Sequence, residues 1–331
     1  MTSVRRAYVP DTRAVTRMYI DVHGHLAPFG ETGGGPPSLR DPEAAIARKR
    51  ELGVVMTIIG SPVGAGSMLP GTGVDNYTQS ADQVRGHNEL MGDLVDRFPD
   101  SLRAYAYVDP FGGDAMLAQA VDLLADQRFV GLITSSSVNG EFLGSPRAAG
   151  FFAMAAEQRV PVLLHPPAEP VGTAGIGPIG LVEHVARPCD VTMSVATIVC
   201  AGVLDRYPDL CLIAAAGGGG LAFLAEKLDL AMARTNADAP PLTTPSESLR
   251  RMYVETSCPS PVQLRANLQT FGRSHVLFGS DAPPVMAGLA GITEIVASSV
   301  LNDDELAAVA WRNAARVFGL PAKKHAQTEV R

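Results

Sequence analysis

The chain has 331 residues, 46% of them hydrophobic, and a formal net charge of −7. That length supports one large barrel domain or two ordinary ones around a sizeable core, and the apolar content excludes wholesale disorder. The acidic balance and the lack of a dense basic cluster argue against nucleic acid and against an anionic membrane surface as partners.

Residues 1–17 are polar, lack the apolar core of a secretory signal, and read as an N-terminal tail. No apolar stretch approaches 18 residues, and the four cysteines (Cys189, Cys200, Cys211, Cys258) form no CxxC or paired framework. The expectation is a soluble cytoplasmic protein with reduced thiols. From residue 18 onward, short β-rich runs alternate with helical stretches. Strands are expected at 18–23, 53–60, 102–108, 129–134, 160–165, 210–216, 251–256 and 275–280. Helices are expected near 42–51, 80–98, 114–127, 147–158, 195–206, 220–234, 261–270 and 303–318. The periodicity is clearest in the third helix, where Met116, Leu117, Ala120, Val121, Leu123 and Leu124 line one side. Eight strand–helix units in order point to a (β/α)₈ barrel of the TIM type as a single domain over 18–320. A doubly wound sheet is the alternative. Three long Gly/Pro-rich loops (26–41, 61–79 and 166–194) should cap one face, and 321–331 reads as a C-terminal tail.

Three of the expected strands end in residues that bind divalent metal: Asp21-Val22-His23-Gly24-His25, then His165 after Val160-Pro161-Val162-Leu163-Leu164, then Asp281 after Leu277-Phe278-Gly279-Ser280. Residues i and i+2 of a strand point to the same side, so His23 and His25 present both imidazoles to one spot. Barrel active sites form at the C-terminal strand ends, where His165 and Asp281 also fall. Three nitrogens and one carboxylate suit Zn²⁺ and equally Mn²⁺ or Fe²⁺. Seven histidines make a lone HxH a weak signal, and the plainer reading is a set of satisfied structural histidines; the shared placement at strand ends favours metal. The four lysines (Lys49, Lys227, Lys323, Lys324) all lie outside the fourth strand, which disfavours a dinuclear centre bridged by a carboxylated lysine.

These three strand-end segments resemble the metal motifs of the amidohydrolase superfamily. The run Val138-Asn139-Gly140-Glu141-Phe142-Leu143-Gly144-Ser145-Pro146-Arg147, the strand entries Phe98-Pro99-Asp100 and Tyr207-Pro208-Asp209, and the closing Asn313-Ala314-Ala315-Arg316-Val317-Phe318-Gly319-Leu320 are similar to its aminocarboxymuconate-semialdehyde decarboxylase-related branch, over roughly 18–320. Within that branch, residues 192–210 and the loop after His165 resemble the salicylate-type and 6-methylsalicylate decarboxylases most. The resemblance implies a deformed barrel holding one divalent metal on His23, His25, His165 and Asp281. Zinc is the first expectation and manganese the second, with no organic cofactor. It also implies a small carboxylic acid as substrate, a homodimer or higher homo-oligomer, and cofactor-free decarboxylation of an aromatic or unsaturated acid, with Asp281 as a metal ligand that also shuttles a proton. The alternative on the same scaffold is hydrolysis of a lactone or amide by metal-bound hydroxide.

In the resembling family the sixth strand ends in an acid/base histidine followed by glycines. Here that position is Ala216, before Gly217-Gly218-Gly219-Gly220. A methyl group cannot transfer a proton, and loss of a positioned acid/base costs about 10²–10⁴-fold in rate. The replacement fits a natural variant that uses another group, a non-catalytic binder, or a chain deliberately inactivated. Substitutes weighed are His87, in a helical stretch, and His184, beside the third long loop; each also reads as an ordinary structural histidine. His275 begins a strand and belongs to the opposite barrel end. Cys258, past the seventh strand, and Phe29, in the first loop, are candidate substrate contacts. Arg85, Arg187 and Arg251 are candidates to pair with a substrate carboxylate. The glycine run lacks the GxxxxGK[ST] pattern of a phosphate cradle, and Ser280 lacks a GxSxG elbow, so close backbone packing and a non-nucleophilic serine are the readings.

Overall fold

The computed structural model describes residues 18–26, 39–68, 76–235, 243–258, 260–297 and 301–321. Eight parallel strands follow one another around a sheet: β1 (Tyr19–Gly24), β2 (Val54–Ile59), β3 (Leu102–Tyr107), β4 (Phe129–Ser135), β7 (Pro161–His165), β8 (Cys211–Ala214), β9 (Tyr253–Glu255) and β10 (Val276–Leu277). Every residue of β1 and β7 is buried, as expected of strands covered on both faces. The last strand returns against the first. The Val22 amide donates to the Phe278 carbonyl and the Asp281 amide to the His23 carbonyl, both at 2.9 Å. The sheet is therefore a nearly closed (β/α)₈ barrel, and the doubly wound alternative falls away.

A hairpin interrupts the alternation after β4. Strands β5 (Ser137–Val138) and β6 (Glu141–Phe142) pair antiparallel across Asn139-Gly140, both with positive φ (50° and 79°). An Asn-Gly pair takes the left-handed turn cheaply.

The eighth expected strand shrinks to Val276–Leu277 because a 3₁₀ turn, Arg273–His275, occupies its start. The third loop is shorter than expected: helix begins at Ile179–Leu181, passes through a π-turn at Val182–Ala186 and continues as Arg187–Cys200. Pro188 comes just after the π-turn, inside this continuous run. Helix Met286–Val296, which follows the last strand, had no counterpart among the expected elements. The tails at 1–17 and 322–331 lie outside the described residues, as does Phe29.

Candidate metal centre

The strand ends bring His23, His25, His165 and Asp281 together. One ligand atom from each lies within 4.8 Å of all the others. His25 Nε2 stands 3.1 Å from both His23 Nε2 and His165 Nε2, and 3.1 Å from Asp281 Oδ1; His23 Nε2 is 3.6 Å from the same oxygen. The three imidazole planes are mutually near-perpendicular, at 87–89°, with centroids 4.8–4.9 Å apart. Two of the rings are oriented from behind. His25 Nδ1 lies 2.7 Å from the Gly60 carbonyl and His165 Nδ1 lies 2.8 Å from the Pro166 carbonyl. A carbonyl only accepts, so each Nδ1 carries the proton and each Nε2 lone pair points inward.

This arrangement fits a divalent metal. Two nitrogens each about 2.1 Å from one ion, at bond angles between about 90° and 110°, stand roughly 3.0–3.4 Å apart, and the observed spacing falls within that range. Converging lone pairs at this distance repel one another unless a cation or a proton lies between them. Burial pushes His23 down, but Asp281, Glu255 and Asp21 overcome it and raise its pKa to about 9. Burial and the neighbouring imidazoles drive His165 well below its usual value. Burial acts to raise Asp281, yet the facing histidines hold its carboxyl well below the ordinary carboxylate range.

Two buried carboxylates, Glu255 and the Asp21 that opens the first strand-end motif, support these four residues. Glu255, the last residue of β9, is fully buried. Its Oε1 lies 3.5 Å from His23 Nδ1, while the carboxylate accepts from the Ser257 amide and hydroxyl and from the Gly217 amide. Asp21, also fully buried, has all four acceptor positions filled. Its Oδ1 takes the amides of His23 and Ser280 at 3.0 Å, and its Oδ2 takes Lys49 Nζ at 2.7 Å and the Ser280 hydroxyl at 2.5 Å. The network joins the backbone that carries His23 to the backbone that carries Asp281. Lys49 reaches in from helix Pro42–Glu51 and also donates to Thr57 Oγ1 at 3.1 Å. Burial lowers the Lys49 pKa, against the pull of Asp21.

The cluster forms the floor of a cavity of about 350 Å³. Leu39, Met68, Pro166, Pro284 and Val285 supply apolar walls, Ala216 lines the floor, and Glu183, His184 and Arg187 face in from the π-turn and the helix that follows. Arg187 is the candidate arginine the structure places here, with 13% of its side chain exposed. Its guanidinium donates to the Met68 carbonyl at 2.8 Å and approaches Glu183 at 3.7 Å. Arg85 instead pairs with Asp82, and Arg251 with Asp205, away from the cavity.

The remaining candidates separate. His87 is buried against Tyr107, where burial lowers its pKa to about 4, and it does not line the cavity. His275 stacks on Tyr253 at the start of β10, at the opposite barrel end. Cys258, expected at the substrate, is displaced from it. Its thiol donates to Gln263 Oε1 at 3.3 Å and lines a separate small crevice with Gly217 and Asn267. The glycines after Ala216 serve packing: Gly219 has φ +55°, and a Cβ there would lie 2.2 Å from the Pro188 carbonyl oxygen.

A family model described as Amidohydrolase matches residues 20–320. The 6-methylsalicylic acid decarboxylase of Penicillium expansum is 27% identical over 287 residues, covering 80% of this chain and 84% of that protein. Among solved structures, a dihydroxybenzoic acid decarboxylase from Polaromonas sp. JS666, with bound manganese and the inhibitor 2-nitroresorcinol, superposes with a TM-score of 0.75 at 17% identity, covering 92% of this chain and 97% of that one. The 5-carboxyvanillate decarboxylase of Sphingomonas paucimobilis does so with 0.73 at 20% identity, covering 92% and 99%. At these identities the two structures show the shared fold alone. Among the described residues no helix is long and apolar enough to cross a membrane.

Proposed function

Because the chain belongs to the amidohydrolase family, we propose that it is a metal-dependent carboxy-lyase that removes CO₂ from an aromatic or unsaturated carboxylic acid without an organic cofactor. The observation that carries this reading is one cavity that joins a three-imidazole, one-carboxylate cluster to apolar walls and a largely buried arginine. Apolar walls receive a ring, and a guanidinium pairs with an anionic or hydroxyl substituent. The similarity to a curated aromatic acid decarboxylase supports the choice of substrate class.

His23, His25, His165 and Asp281 would hold the ion, zinc first and manganese second for this donor set. When bound, the ion supplies positive charge that draws the substrate carboxylate and an adjacent oxygen to the floor and stabilises negative charge as it develops. The chain's own groups do the rest. Arg187 fixes the far side of the ring, Leu39, Met68, Pro284 and Val285 exclude water, and Asp281, kept ionised by the facing histidines, would serve as a ligand and has no proton of its own to give.

The test is turnover of 6-methylsalicylate, 2,6-dihydroxybenzoate and 5-carboxyvanillate by chelator-stripped protein, before and after Zn²⁺ or Mn²⁺ is added. CO₂ release that depends on the metal supports the reading. Oxygen-18 entering an acid product from water, without CO₂, replaces it with lactone or amide hydrolysis. An inactivated form corresponds to binding of these acids without CO₂ release until histidine is placed at 216.

A further inference from the structure

With alanine at the end of the sixth barrel strand, the carboxy-lyase reading requires another group to protonate the ring carbon. We infer that His184, presented by the π-turn Val182–Ala186, is that acid/base group; this inference rests on the carboxy-lyase reading of the cavity. Of the chain's seven histidines, three form the metal cluster, His87 and His275 lie away from the cavity, and His325 lies outside the described residues. Among the described residues, His184 is thus the one imidazole that lines the cavity and is not committed to metal.

The local backbone explains its direction. Single π-turns inside helices recur at functional sites because the extra residue rotates the side chains that follow. Here Val182 and Ala186 are 2% and 3% exposed and anchor the turn to the core. Glu183, His184 and Arg187 then fall on the side that faces the cavity. The turn itself is held down. Asp190, one turn into helix Arg187–Cys200, accepts from the hydroxyls of Ser136 and Ser137 at 2.5 and 2.9 Å and from the Val171 amide at 3.1 Å. The two serine bonds fasten the start of this helix to the residues that follow β4. His184 itself remains exposed, so its imidazole can exchange protons with solvent after each turnover.

The step balances without any further reactant. The His184 imidazolium gives its N–H proton to the ring carbon that bears the carboxylate, and a ring π pair forms the new C–H bond. The C–C bond to the carboxylate then breaks, its electron pair restores the aromatic ring, and CO₂ leaves. Neutral His184 is reprotonated from water. The charged and titratable groups that face His184 across the cavity are Glu183, Arg187, Asp281, His23, His25 and His165.

The experiment compares metal-loaded wild type, His184→Gln, Ala216→His and the double variant on the same acid panel. In parallel, the His184 ring resonances (assigned by their absence from His184→Gln) are followed by NMR in protein loaded with diamagnetic Zn²⁺ as 2-nitroresorcinol is added. The expected result is at least a 100-fold fall in kcat for His184→Gln with KM changed less than threefold. One limb of the kcat–pH profile should disappear with it, and the double variant should recover at least tenfold. The His184 resonances should move on ligand addition. Unchanged kcat and pH limb in His184→Gln, or resonances indifferent to the ligand, overturn the assignment. A wild type that is silent while Ala216→His turns over also overturns it yet leaves the carboxy-lyase reading standing; silence from both removes that reading as well.

Discussion

Replacing Lys49 by methionine strands a buried charge directly beneath the metal cluster. Methionine keeps much of the stem volume, so the loss is chiefly electrostatic. Asp21 is fully buried and would keep three of its four donors, the His23 and Ser280 amides and the Ser280 hydroxyl. Breaking a buried pair by removing one partner costs about 3–5 kcal/mol, and the surviving donors place this case in the lower half of that range. The strained carboxylate also positions the segments that carry His23 and Asp281, and loss of such support weakens metal affinity about 10–100-fold. Urea unfolding followed through the single tryptophan, Trp311, reads the first effect; competition with a chromogenic chelator reads the second. The double variant Lys49→Met/Asp21→Asn removes the stranded charge and should regain more than half of the lost stability. A single variant that loses under about 1 kcal/mol and keeps its metal affinity, or a double variant no better than the single, refutes the reasoning.

Arg187→Met is expected to raise KM for the acid substrates about 10–100-fold with a smaller change in kcat, while Arg187→Lys falls between the two; an unchanged KM in both removes Arg187 as the anchor. The buried His87 makes stability depend on pH. Burial pushes its folded pKa down to about 4 from the usual 6.5, so below about pH 6.5 the unfolded chain takes up a proton that the folded chain refuses. Stability is whole above that value and falls as pH drops, by about 2 kcal/mol between pH 8 and pH 5 from this residue alone. His87→Leu should flatten the slope of unfolding free energy against pH by that amount, and parallel slopes for the two proteins would sink the assignment.

The four residues of the cluster stand out in the sequence because each lies at or just past a strand end, and strand parity alone sends His23 and His25 to one side. Their supports do not. Lys49 sits between Arg48 and Arg50 in the last turn of a polar helix, a pattern that reads as three solvated cations. Helical spacing puts Lys49, and neither arginine, on the buried face of Pro42, Ala45 and Ile46, a signal weakened by the polar residues around it. Glu255 ends a three-residue strand, and its meaning depends on β9 passing close to β1, which no local pattern records. Helix Met286–Val296 was obscured by Gly288 and Gly291 and by the prolines at 283 and 284, all poor helix formers, although its packing buries Leu289, Ile292 and Val296. Cys258 was misplaced because the chain turns behind the glycine run after β9, where Gln263 captures the thiol. The places of Glu255 and Cys258 are set by tertiary packing, and no periodicity in the sequence records them.

Backbone conformation adds a point about the missing histidine. Ala216 and Asp281, at two strand ends on the cavity floor, both hold left-handed φ values, +52° and +54°. For a residue with a β-carbon this conformation costs roughly 1–2 kcal/mol, whereas glycine adopts it freely. Gly217, Gly218 and Gly219 follow immediately with φ of +61°, +72° and +55°, so glycine is readily used in this turn. At 216, where a fourth glycine would relieve the strain, a side chain persists and lines the cavity. Histidine, with asparagine and aspartate, is several-fold enriched among non-glycine residues of this conformation. The turn is therefore a frame shaped to hold a side chain over the metal cluster, and Ala216→His should fold without loss of stability. Alanine fills that frame with a group that moves no proton, which leaves proton transfer to His184, presented to the same cavity by the π-turn.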